Sequence, residues 1–476
     1  MDITPRRPLF CLLLLASVSG AATLAAQAPA IDWSRVETES MEHFQAVLRF
    51  DTSDPPGNER PAAEYVKQVL EREGIATKVF ELEPNRLNVV ARLKGNGKKR
   101  PLLLMGHTDT VNVDPAKWTF PPFSATRDGG YVYGRGTVDD KDNVTAALMT
   151  MLLLKRSGVA LDRDVIFLAE AGEEGTTRVG IQFMAQQHFD EIDAEYCLAE
   201  GGSVVRSDGR VRYAAVETAE KIPHGILLTA TGTAGHGSVP LQTNAILTLA
   251  KAVQAVAEWK PPIQLNDTTR TYFTRLAAIS QPADAARYRA VIGNDPKAAQ
   301  DAVDHFARAT PVLASSVRSS ISPNIIQAGY RINVIPSEAK ASLDVRLISG
   351  QDPEAFLNEV RKVVNDPAIR VEWIPRDVRP ATPSARLDSE AFKVLESGFA
   401  RHYDTAVLPT LSTGATDMAY LRARGMQCYG VGPALDTEDG PKGFGAHSDQ
   451  ERILESELHK FVRFHYEVVR DLVRAQ

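Results

Sequence analysis

Runs of apolar and polar residues divide the chain into helices and short strands. From Ile31 onward, apolar residues recur at helical spacing in DWSRVETESMEHFQAVLRF and again in PAAEYVKQVLEREG, which predicts two surface helices. Short apolar runs typical of strands follow in ATKVFEL, LNVVARL, PLLLMGH and DVIFLAEA, and the last two enclose the helical segment NVTAALMTMLLLKRSG. Strands separated by helices predict a largely parallel sheet covered on both faces, with ligands at the carboxyl ends of its strands.

The pattern changes from about Glu217. A strand and a glycine-rich turn are predicted in HGILLTATGTAGHGSVP, a helix in NAILTLAKAVQAVAEW, and a hairpin of two strands in RINVIPSEAKASLDVRL, followed by another helix and strand. This order predicts a small, open-faced, ferredoxin-like α+β sandwich over residues 217–377. The stretch 261–320 is polar, helical and longer than such a unit needs, so we interpret it as an insertion whose role the sequence does not reveal.

These patterns together predict an α/β protein with an interrupted main domain. A three-layer αβα catalytic domain would be formed by residues 31–216 and 378–476, because the earlier pattern resumes after the sandwich and closes with a long helix. The α+β sandwich would then be an inserted lid.

The first 28 residues have the features of a signal peptide. Arg6 and Arg7 precede the apolar run LFCLLLLASVSGAA, and small residues follow it. We therefore expect an exported protein, periplasmic or secreted, with no stable membrane insertion after the signal is removed; an uncleaved anchor is the alternative. Cys11 would leave with the signal, so that Cys197 and Cys428 remain, too few for a disulfide framework although a single bridge is possible.

Composition narrows the class of ligand. With 43% hydrophobic and 24% charged residues and a net charge of -6, the chain has the composition of a globular protein and no general attraction for nucleic acid or anionic lipid. An anionic substrate would need cations placed at its own site. A small-molecule substrate is therefore favoured.

Histidines and carboxylates lie just past apolar strands or in glycine-bounded loops. In PLLLMGHTDTV, His107 and Asp109 are two residues apart, so on an extended chain both side chains face the same way, and one can bind a metal while the other braces it. In YGRGTVDDKDN, Asp139 and Asp140 stand between a Gly-Arg-Gly turn and the start of a helix. Taken singly, such residues are more often hydrogen-bonded or solvated than metal-bound.

Four further residues, at three places in the chain, share this placement. Glu173 and Glu174 follow a hydrophobic strand, Glu200 ends another in CLAEGG, and His447 lies in the glycine-flanked turn GFGAHSDQE. Adjacent carboxylates repel each other, so a sheltered pair needs cations nearby or shifted pKa values. Several hard oxygen and nitrogen donors on separate loops are what two close Zn²⁺ ions require.

The motifs also resemble those of a known family. HTDTV, GRGTVDDK, EAGEEGT, LAEGG, TAGHGSVP, NVIP and AHSDQE, in this order, are similar to the dinuclear zinc family that includes glutamate carboxypeptidase, succinyl-diaminopimelate desuccinylase, acetylornithine deacetylase and aminoacylase. The resemblance runs from about Leu48 to the final helix. It implies a metallopeptidase or amidohydrolase that binds two Zn²⁺ per chain, with Co²⁺ or Mn²⁺ as substitutes.

The resemblance assigns the metal ligands to two sets. It implies that His107 and Glu200 bind one zinc, that Glu174 and His447 bind the other, and that Asp139 bridges both.

The resemblance also assigns two catalytic carboxylates. Asp109 would brace the imidazole of His107. Glu173 would be the general base, working with a metal-bridged hydroxide and returning the proton to the departing amine. The alternative for Glu173 is that it only balances the charge of the zinc ions.

Four residues of the lid and the last domain complete the implied site. His236 matches the family histidine that stabilises the tetrahedral oxyanion, often from a partner subunit. Asn333 and Arg346 match positions that bind the substrate carboxylate, to which a guanidinium is geometrically suited. Gly414 resembles a loop glycine whose amide meets the same carboxylate. Without the resemblance, these four would be interpreted as surface or turn residues.

Two positions depart from the family pattern. Asp142 stands where relatives usually have glycine after the motif lysine, and we expect it to cap the helix that begins there. Gly172 stands where an aspartate is common before the glutamate pair, which changes the acidic surroundings of the base. Neither change removes a predicted ligand.

The predicted reaction is hydrolysis of an amide bond next to a free carboxylate. Because Glu200 is glutamate, as in deacylases and carboxypeptidases of the family, we favour a carboxypeptidase or N-acyl-amino-acid deacylase over a dipeptidase. An amidase for a non-peptide substrate and a catalytically inactive binding protein are further alternatives. The resemblance is compatible with a homodimer paired through the lid, although the insertion at 261–320 could cover the usual pairing edge.

Overall fold

The computed structural model describes residues 1–2, 31–375 and 379–475. The predicted signal peptide, residues 1–28, lies outside the described residues apart from its first two. Within these ranges, no helix combines the length and the apolar content needed to cross a bilayer.

The first part of the chain, up to Glu220, alternates helices with the strands of one large sheet and a small side sheet. Its helices are α1 (Trp33–Leu48), α2 (Arg60–Arg72), α3 (Lys141–Ser157), α4 (Ile181–Gln187) and α5 (Phe189–Ile192). Its strands are β1 (Thr77–Glu81), β2 (Leu87–Leu93), β3 (Leu102–His107), β4 (Thr126–Asp128), β5 (Tyr131–Tyr133), β6 (Val165–Glu170), β7 (Tyr196–Ala199), β8 (Ser203–Ser207) and β9 (Arg210–Glu220).

The middle of the chain forms the lid and its helical insertion. The strands are β10 (Ile222–Thr231), β11 (Gly235–His236), β12 (Ser320–Ala328), β13 (Val334–Ile335), β14 (Glu338–Leu347) and β15 (Ile369–Trp373). The helices are α6 (Ala245–Glu258), α7 (Asp267–Ile279), α8 (Pro282–Ile292), α9 (Pro296–Ala309), α10 (Pro311–Ser315) and α11 (Pro353–Val364).

The last part returns to the large sheet. It contributes the helices α12 (Glu390–Tyr403), α13 (Met418–Arg422) and α14 (Glu455–Val473) and the strands β16 (Val407–Ser412), β17 (Gln427–Gly430), β18 (Ala434–Asp436) and β19 (Arg452–Leu454).

The large sheet is mixed, with a parallel centre. Its ten strands run in the order β1-β2-β6-β3-β7-β17-β9-β8-β18, and β16 pairs with β9. The strands β6, β3, β7 and β17 are mutually parallel, and so are the pairs β8–β18 and β9–β16. The pairs β1–β2, β2–β6, β8–β9 and β9–β17 are antiparallel. The prediction of a largely parallel sheet is therefore correct for the centre and for the β8–β18 and β9–β16 pairs, whereas the short β1–β2 and β8–β9 connections allow only antiparallel pairing.

Helices cover both faces of this sheet, as predicted. One apolar core lies between the sheet and α1, α2, α3, α12 and α14, and a second lies between the sheet and α4, α5 and α13. The three-layer α/β fold is thus confirmed. Since both faces are covered, the open edge at the carboxyl ends of β3, β6 and β7 is where polar side chains can converge.

The lid is a separate antiparallel sheet with the ferredoxin-like order β12-β14-β10-β15 and the helices α6 and α11 packed against it. The predicted hairpin over 331–347 is wrong. The strand β13 pairs with β11, whereas β14 pairs with β12 and β10, and Pro336, which has no amide hydrogen, separates β13 from β14. The large sheet also continues to Glu220, so the chain leaves it at Lys221 rather than at residue 217.

The insertion forms a small helical unit with its own apolar core, to which Phe273, Val303 and Phe306 contribute. Its helix α7 packs against β16 of the large sheet. There Arg275 donates hydrogen bonds to Glu396 Oε1 and to the carbonyl of Val407, both at 2.7 Å. The insertion therefore packs against the catalytic domain, beside β16 of its large sheet.

Candidate active site

The predicted metal ligands meet at the carboxyl edge of the large sheet. His107 is the last residue of β3, and Glu200 directly follows β7. Glu174 lies in the turn after β6, and Asp139 lies two residues before the start of α3. His447 comes from the loop before β19. Neighbouring parallel strands bring these distant positions together at one edge.

Asp139 lies at the centre of the group. Its Oδ1 is 3.0 Å from His107 Nε2, and its Oδ2 is 3.0 Å from His447 Nε2. The same His447 nitrogen is 2.8 Å from Glu174 Oε1. The two oxygens of Asp139 therefore face two different imidazoles.

The donors form two sets of three that share Asp139. One donor atom each from His107, Asp139 and Glu200 lies within 4.8 Å of the others, and the same holds for Asp139, Glu174 and His447. Imidazole nitrogens and carboxylate oxygens are suitable ligands for Zn²⁺ and similar divalent cations. The structure thus brings all five predicted ligands together, in an arrangement that suits two neighbouring cations joined by one carboxylate.

Several carboxylates around this centre are largely removed from solvent. Burial, together with the negative charges of nearby acids, raises the pKa values of Glu170, Glu200 and Asp417 well above the usual range. The Oε2 atom of Glu170 accepts no hydrogen bond from any described residue. A concentration of desolvated acids is costly in an unbound protein, and bound cations would offset that cost.

The pKa values of the two histidines are raised as well, which for an imidazole favours the charged form. Burial alone would lower the pKa of His107, but its contacts with Asp109 and Asp139 raise it well above the usual value. Hydrogen bonds with Asp139 and Glu174 raise the pKa of His447 to about 10. Protons on these imidazoles would therefore compete with metal ions for the same nitrogens.

Asp109 organises both the histidine and the turn that carries the glutamates. His107 Nδ1 lies 3.1 Å from the backbone carbonyl of Asp109 and 3.5 Å from its Oδ1. The carboxylate of Asp109 accepts hydrogen bonds from the backbone amides of Gly172, Glu173 and Glu174 at 2.9, 3.2 and 2.9 Å. One buried aspartate therefore orients a predicted ligand and positions the predicted base.

The two departures from the family pattern have structural explanations. Gly172 has a φ of 78°, and a Cβ there would lie 2.5 Å from the Thr176 carbonyl oxygen, so a side chain does not fit this turn. Asp142 is not the helix cap that we expected, because the N-cap of α3 is Asp140. Asp142 instead lies fully buried in the first turn, where the helix dipole favours a carboxylate.

A buried ion pair joins the loop of Asp139 to the loop of His447. Arg135 donates to Glu451 Oε2 and to the carbonyl of Ser448, both at 2.7 Å. Glu451 also accepts the backbone amides of Gly136 at 3.1 Å and Val138 at 2.8 Å. This pair was not predicted, although Glu451 is the last residue of the AHSDQE motif and Arg135 lies in GRGTVDDK.

A cavity of about 320 Å³ opens beside the predicted ligands, between the catalytic domain and the lid. Glu173 and Glu174 line it from the catalytic side, and Pro223 and Arg346 line it from the lid. Arg346, which is also held by Asp344 at 2.9 Å, thus faces the same space as the predicted base. A substrate placed there would meet both domains.

Arg379, which the sequence analysis missed, lines this cavity too. Its Nη2 donates to Glu173 Oε1 at 2.7 Å and lies 3.4 Å from Asp417 Oδ1. It directly follows the boundary between lid and catalytic domain and belongs to no motif. Only the folded chain therefore reveals that the predicted base has a guanidinium partner.

The remaining predicted residues lie elsewhere on the lid and the last domain. His236 is exposed, and its Nδ1 accepts hydrogen bonds from Ser238. The backbone carbonyl of Asn333 accepts the amide of Gly237 at 2.9 Å, so His236 and Asn333 are neighbours, and neither lines the cavity. The amide of Gly414 is already bonded to Ser412 Oγ at 3.1 Å, and the next residue, Ala415, lines the cavity instead.

Comparison with known proteins identifies the family. The model of peptidase family M20/M25/M40 matches residues 103–471. The chain belongs to this family. The resemblance seen in the motifs is thus confirmed, and the protein is a hydrolase of the dinuclear metallopeptidase and amidohydrolase type.

Relatives within the M20 family agree with this assignment. A Dictyostelium discoideum protein named Probable carboxypeptidase S-like 2 is 28% identical over 386 residues, covering 78% of this chain and 72% of its own. The Homo sapiens N-fatty-acyl-amino acid synthase/hydrolase PM20D1 is 26% identical over 385 residues, covering 78% and 74%. The M20 metallo-carboxypeptidase Sso-CP2 of Sulfolobus solfataricus shares the fold, with a TM-score of 0.68 at 19% identity over 91% of this chain and 98% of its own.

Proposed function

We propose that this M20 protein hydrolyses an amide bond next to a free carboxylate, as an N-acyl-amino-acid deacylase or a carboxypeptidase. The observation that carries the proposal is that Glu173, Glu174 and Arg346 line one cavity. A predicted base, a predicted metal ligand and a cation suited to a carboxylate therefore surround one space.

Zinc is the metal we propose for the two donor sets. His107 and Glu200 would hold one ion, Glu174 and His447 the other, and Asp139 both, since these are the sets of donors that the fold brings together. Two such cations, when bound, supply a water of lowered pKa and polarisation of the scissile carbonyl.

Glu173 is the group that moves the proton. Its carboxylate faces the cavity, and the backbone around it is held by Asp109. From there it can accept a proton from the attacking water and deliver it to the departing amine nitrogen. Arg379, at 2.7 Å from Oε1, keeps the carboxylate oriented and leaves its other oxygen for the water.

Arg346 accounts for the proposed preference for a free carboxylate. It lies on β14 of the lid with its side chain about one-third exposed toward the cavity. A guanidinium binds a carboxylate through two parallel N–H donors, which fixes the position of the substrate as well as its charge. The names of the two relatives, a carboxypeptidase S-like protein and an N-fatty-acyl-amino acid synthase/hydrolase, support this substrate class.

A substrate panel tests the proposal. The purified chain without residues 1–28, loaded with zinc, is assayed on N-acetyl amino acids, N-blocked dipeptides, unblocked dipeptides, and the C-terminal carboxamides of each. We expect blocked substrates to be cleaved and their carboxamides to lose about 100-fold or more in kcat/KM, because Arg346 would lose its anionic partner. Cleavage of unblocked dipeptides alone would point instead to a dipeptidase.

Two variants with a matched control test the roles of Glu173 and Arg346 in this panel. Glu173→Gln should lower kcat by about 10²–10⁴-fold while zinc content stays unchanged. Arg346→Gln should abolish the discrimination between carboxylate and carboxamide substrates. Arg370→Gln is the control, because Arg370 also pairs with a carboxylate two residues away on a lid strand but is mostly exposed. Equal discrimination in the Arg346 and Arg370 variants would contradict the proposed role of Arg346.

We also propose that the lid pairs two copies of the chain. The strand β12 is at the edge of the lid sheet. Exposed apolar side chains lie on this strand at Ile325 and Ile326 and after its end at Tyr330 and Ile332. Contiguous exposed apolar groups on an edge strand favour pairing with another chain. In such a dimer, the His236 of each chain could act on the active site of the other chain.

Export is proposed from the sequence of residues 1–28 alone. Expression of the full chain with a C-terminal tag, followed by cell fractionation and mass determination, tests it. The expected product is outside the cytoplasm and has lost the N-terminal segment; an intact cytoplasmic chain would contradict export.

A further inference from the structure

A second cavity, of about 310 Å³, lies between the helical insertion and the catalytic sheet. We call it the insertion cavity. Tyr272, Val312 and Leu313 of the insertion line one side, Gly201 and Tyr213 line another, and residues 410–413 close it. Gly201 directly follows the predicted zinc ligand Glu200 in the sequence, so the chain segment that carries this ligand also contributes to the insertion cavity.

The insertion cavity and the cavity beside Glu173 differ in charge. The cavity beside Glu173 is lined by the ionisable side chains of Glu173, Glu174, Arg346 and Arg379. The insertion cavity has no carboxylate, lysine, arginine or histidine in its lining. Burial, with the neighbouring Tyr213, also raises the pKa of Tyr272, so that its phenol stays neutral. The first cavity therefore suits a charged group and the second an uncharged one.

The end of β16 and the turn after it contribute to both cavities. Residues 410–413 line the insertion cavity, and Ala415 lines the cavity beside Glu173. A molecule that spans this segment would place its two ends in different chemical surroundings.

From this arrangement we infer that the insertion cavity binds the apolar acyl group of an N-acyl amino acid whose carboxylate lies near Arg346. The inference rests on the proposed hydrolysis and specifies its substrate class. Two tyrosine rings and three aliphatic side chains form the apolar part of the lining, beside five serine or threonine residues and no charged group. A volume of about 310 Å³ is near the lower limit for small-molecule pockets. A medium-length alkyl or aryl acyl group therefore fits better than a long chain.

The test compares acyl groups in variants of Val312. Val312 is 56% exposed at the rim, so large or charged replacements there are compatible with folding. Val312→Trp fills the cavity, and Val312→Asp adds a charge to it. Ile279→Trp and Ile279→Asp are the controls, since Ile279 is 48% exposed on the same insertion but lies outside the lining.

The measured quantity is the ratio of kcat/KM for N-octanoyl-leucine to that for N-acetyl-leucine. We expect both Val312 variants to lower the ratio by about tenfold or more, and the Ile279 variants to leave it within about twofold of the wild type. An unchanged ratio in both Val312 variants would overturn the inference, while activity on either substrate would leave the proposed hydrolysis standing.

If no N-acyl amino acid is hydrolysed, the proposed function fails. Calorimetry then tests separately whether the insertion cavity binds an apolar acyl group. N-octanoyl-leucine is titrated into the wild type and into the Val312→Asp and Ile279→Asp variants. Weaker binding in the Val312 variant only would support the insertion cavity as an apolar site. Equal binding in all three proteins, or no binding by the wild type, would overturn it.

Discussion

Asp139 is the residue on which the proposed metal centre depends most. Its two oxygens face His107 and His447 at 3.0 Å each, and it belongs to both donor sets. A ligand shared by two ions should matter more than a ligand of one.

We therefore expect Asp139→Asn to lose most of both metal ions and Glu200→Gln to retain about one per chain, because an amide is a weaker ligand than a carboxylate. Metal content after dialysis, measured by plasma mass spectrometry, checks this. The control Asp128→Asn changes an exposed aspartate on β4 and should retain both ions. Equal metal loss in the Asp139 and Glu200 variants would argue against a bridging role.

At the scale of elements, loop-to-loop contacts hold the donors in place. The Arg135–Glu451 pair is almost completely buried, and it connects the loop that precedes α3 with the loop that precedes β19. Replacing one partner leaves the other as a buried charge without compensation.

Glu451→Gln should therefore lower the free energy of unfolding by about 3 kcal/mol and weaken zinc affinity by about 10–100-fold, as loss of an outer orienting contact typically does. Urea unfolding of the metal-free protein and competitive zinc titration measure the two effects. Glu455→Gln is the matched control, because Glu455 pairs with a half-exposed arginine, Arg127, and such surface pairs contribute about 0–1 kcal/mol. Similar losses in both variants would contradict the role assigned to Glu451.

The junction between β9 and β10 contains a second buried charge. Lys221 is fully buried there, and its Nζ donates to Ser315 Oγ at 2.9 Å and Ser320 Oγ at 3.1 Å. Burial, with the charges of Arg346 and Arg318, lowers the pKa of Lys221 from 10.5 to about 7. Between these two values the unfolded chain binds more protons than the folded chain, so Lys221 makes stability rise with pH.

The free energy of unfolding of the wild type should accordingly gain about 2 kcal/mol more between pH 7.5 and 9.5 than that of Lys221→Met. Urea unfolding at several pH values gives the comparison. Lys251→Met, at an exposed position of α6, should retain the pH dependence of the wild type. Parallel curves for the wild type and the Lys221 variant would show that this lysine keeps its ordinary pKa in the fold.

At the scale of the whole molecule, the proposed pairing of lids decides whether one chain is a complete enzyme. His236 and Asn333 lie together on the lid, outside the lining of the cavity beside Glu173. If a second copy brings His236 to the site, turnover depends on assembly.

Ile326→Asp should then convert a dimer into a monomer and lower kcat, because a charge on the apolar edge strand opposes pairing. Light scattering coupled to gel filtration gives the mass, and the assay on the same fractions gives the activity. Val79→Asp, at an exposed site on β1, should remain dimeric and active. A wild type that is monomeric at assay concentrations and fully active would exclude the pairing.

The chain's local patterns determined most elements and the identity of the metal-ligand candidates. The apolar strand ending at His107, the helix beginning after Asp140 and the glycines around His447 each depend on neighbours in sequence, so the sequence alone could predict them. Local patterns were insufficient for the lid hairpin, because strand pairing depends on segments far apart in the chain: β14 pairs with β12 and β10, not with β13.

Tertiary structure alone decided which charges meet. Nothing near Arg379 in sequence indicates that it lies 2.7 Å from Glu173. Although Glu170 is the first residue of EAGEEGT, the motif does not show that Glu170 is buried, and nothing in the sequence marks Asp417 as a buried acid. Such contacts form only when the carboxyl ends of several strands converge and the lid closes over them. The physical reason is that periodicity records which face of an element is buried, whereas the partner of a buried charge is set by the packing of distant elements.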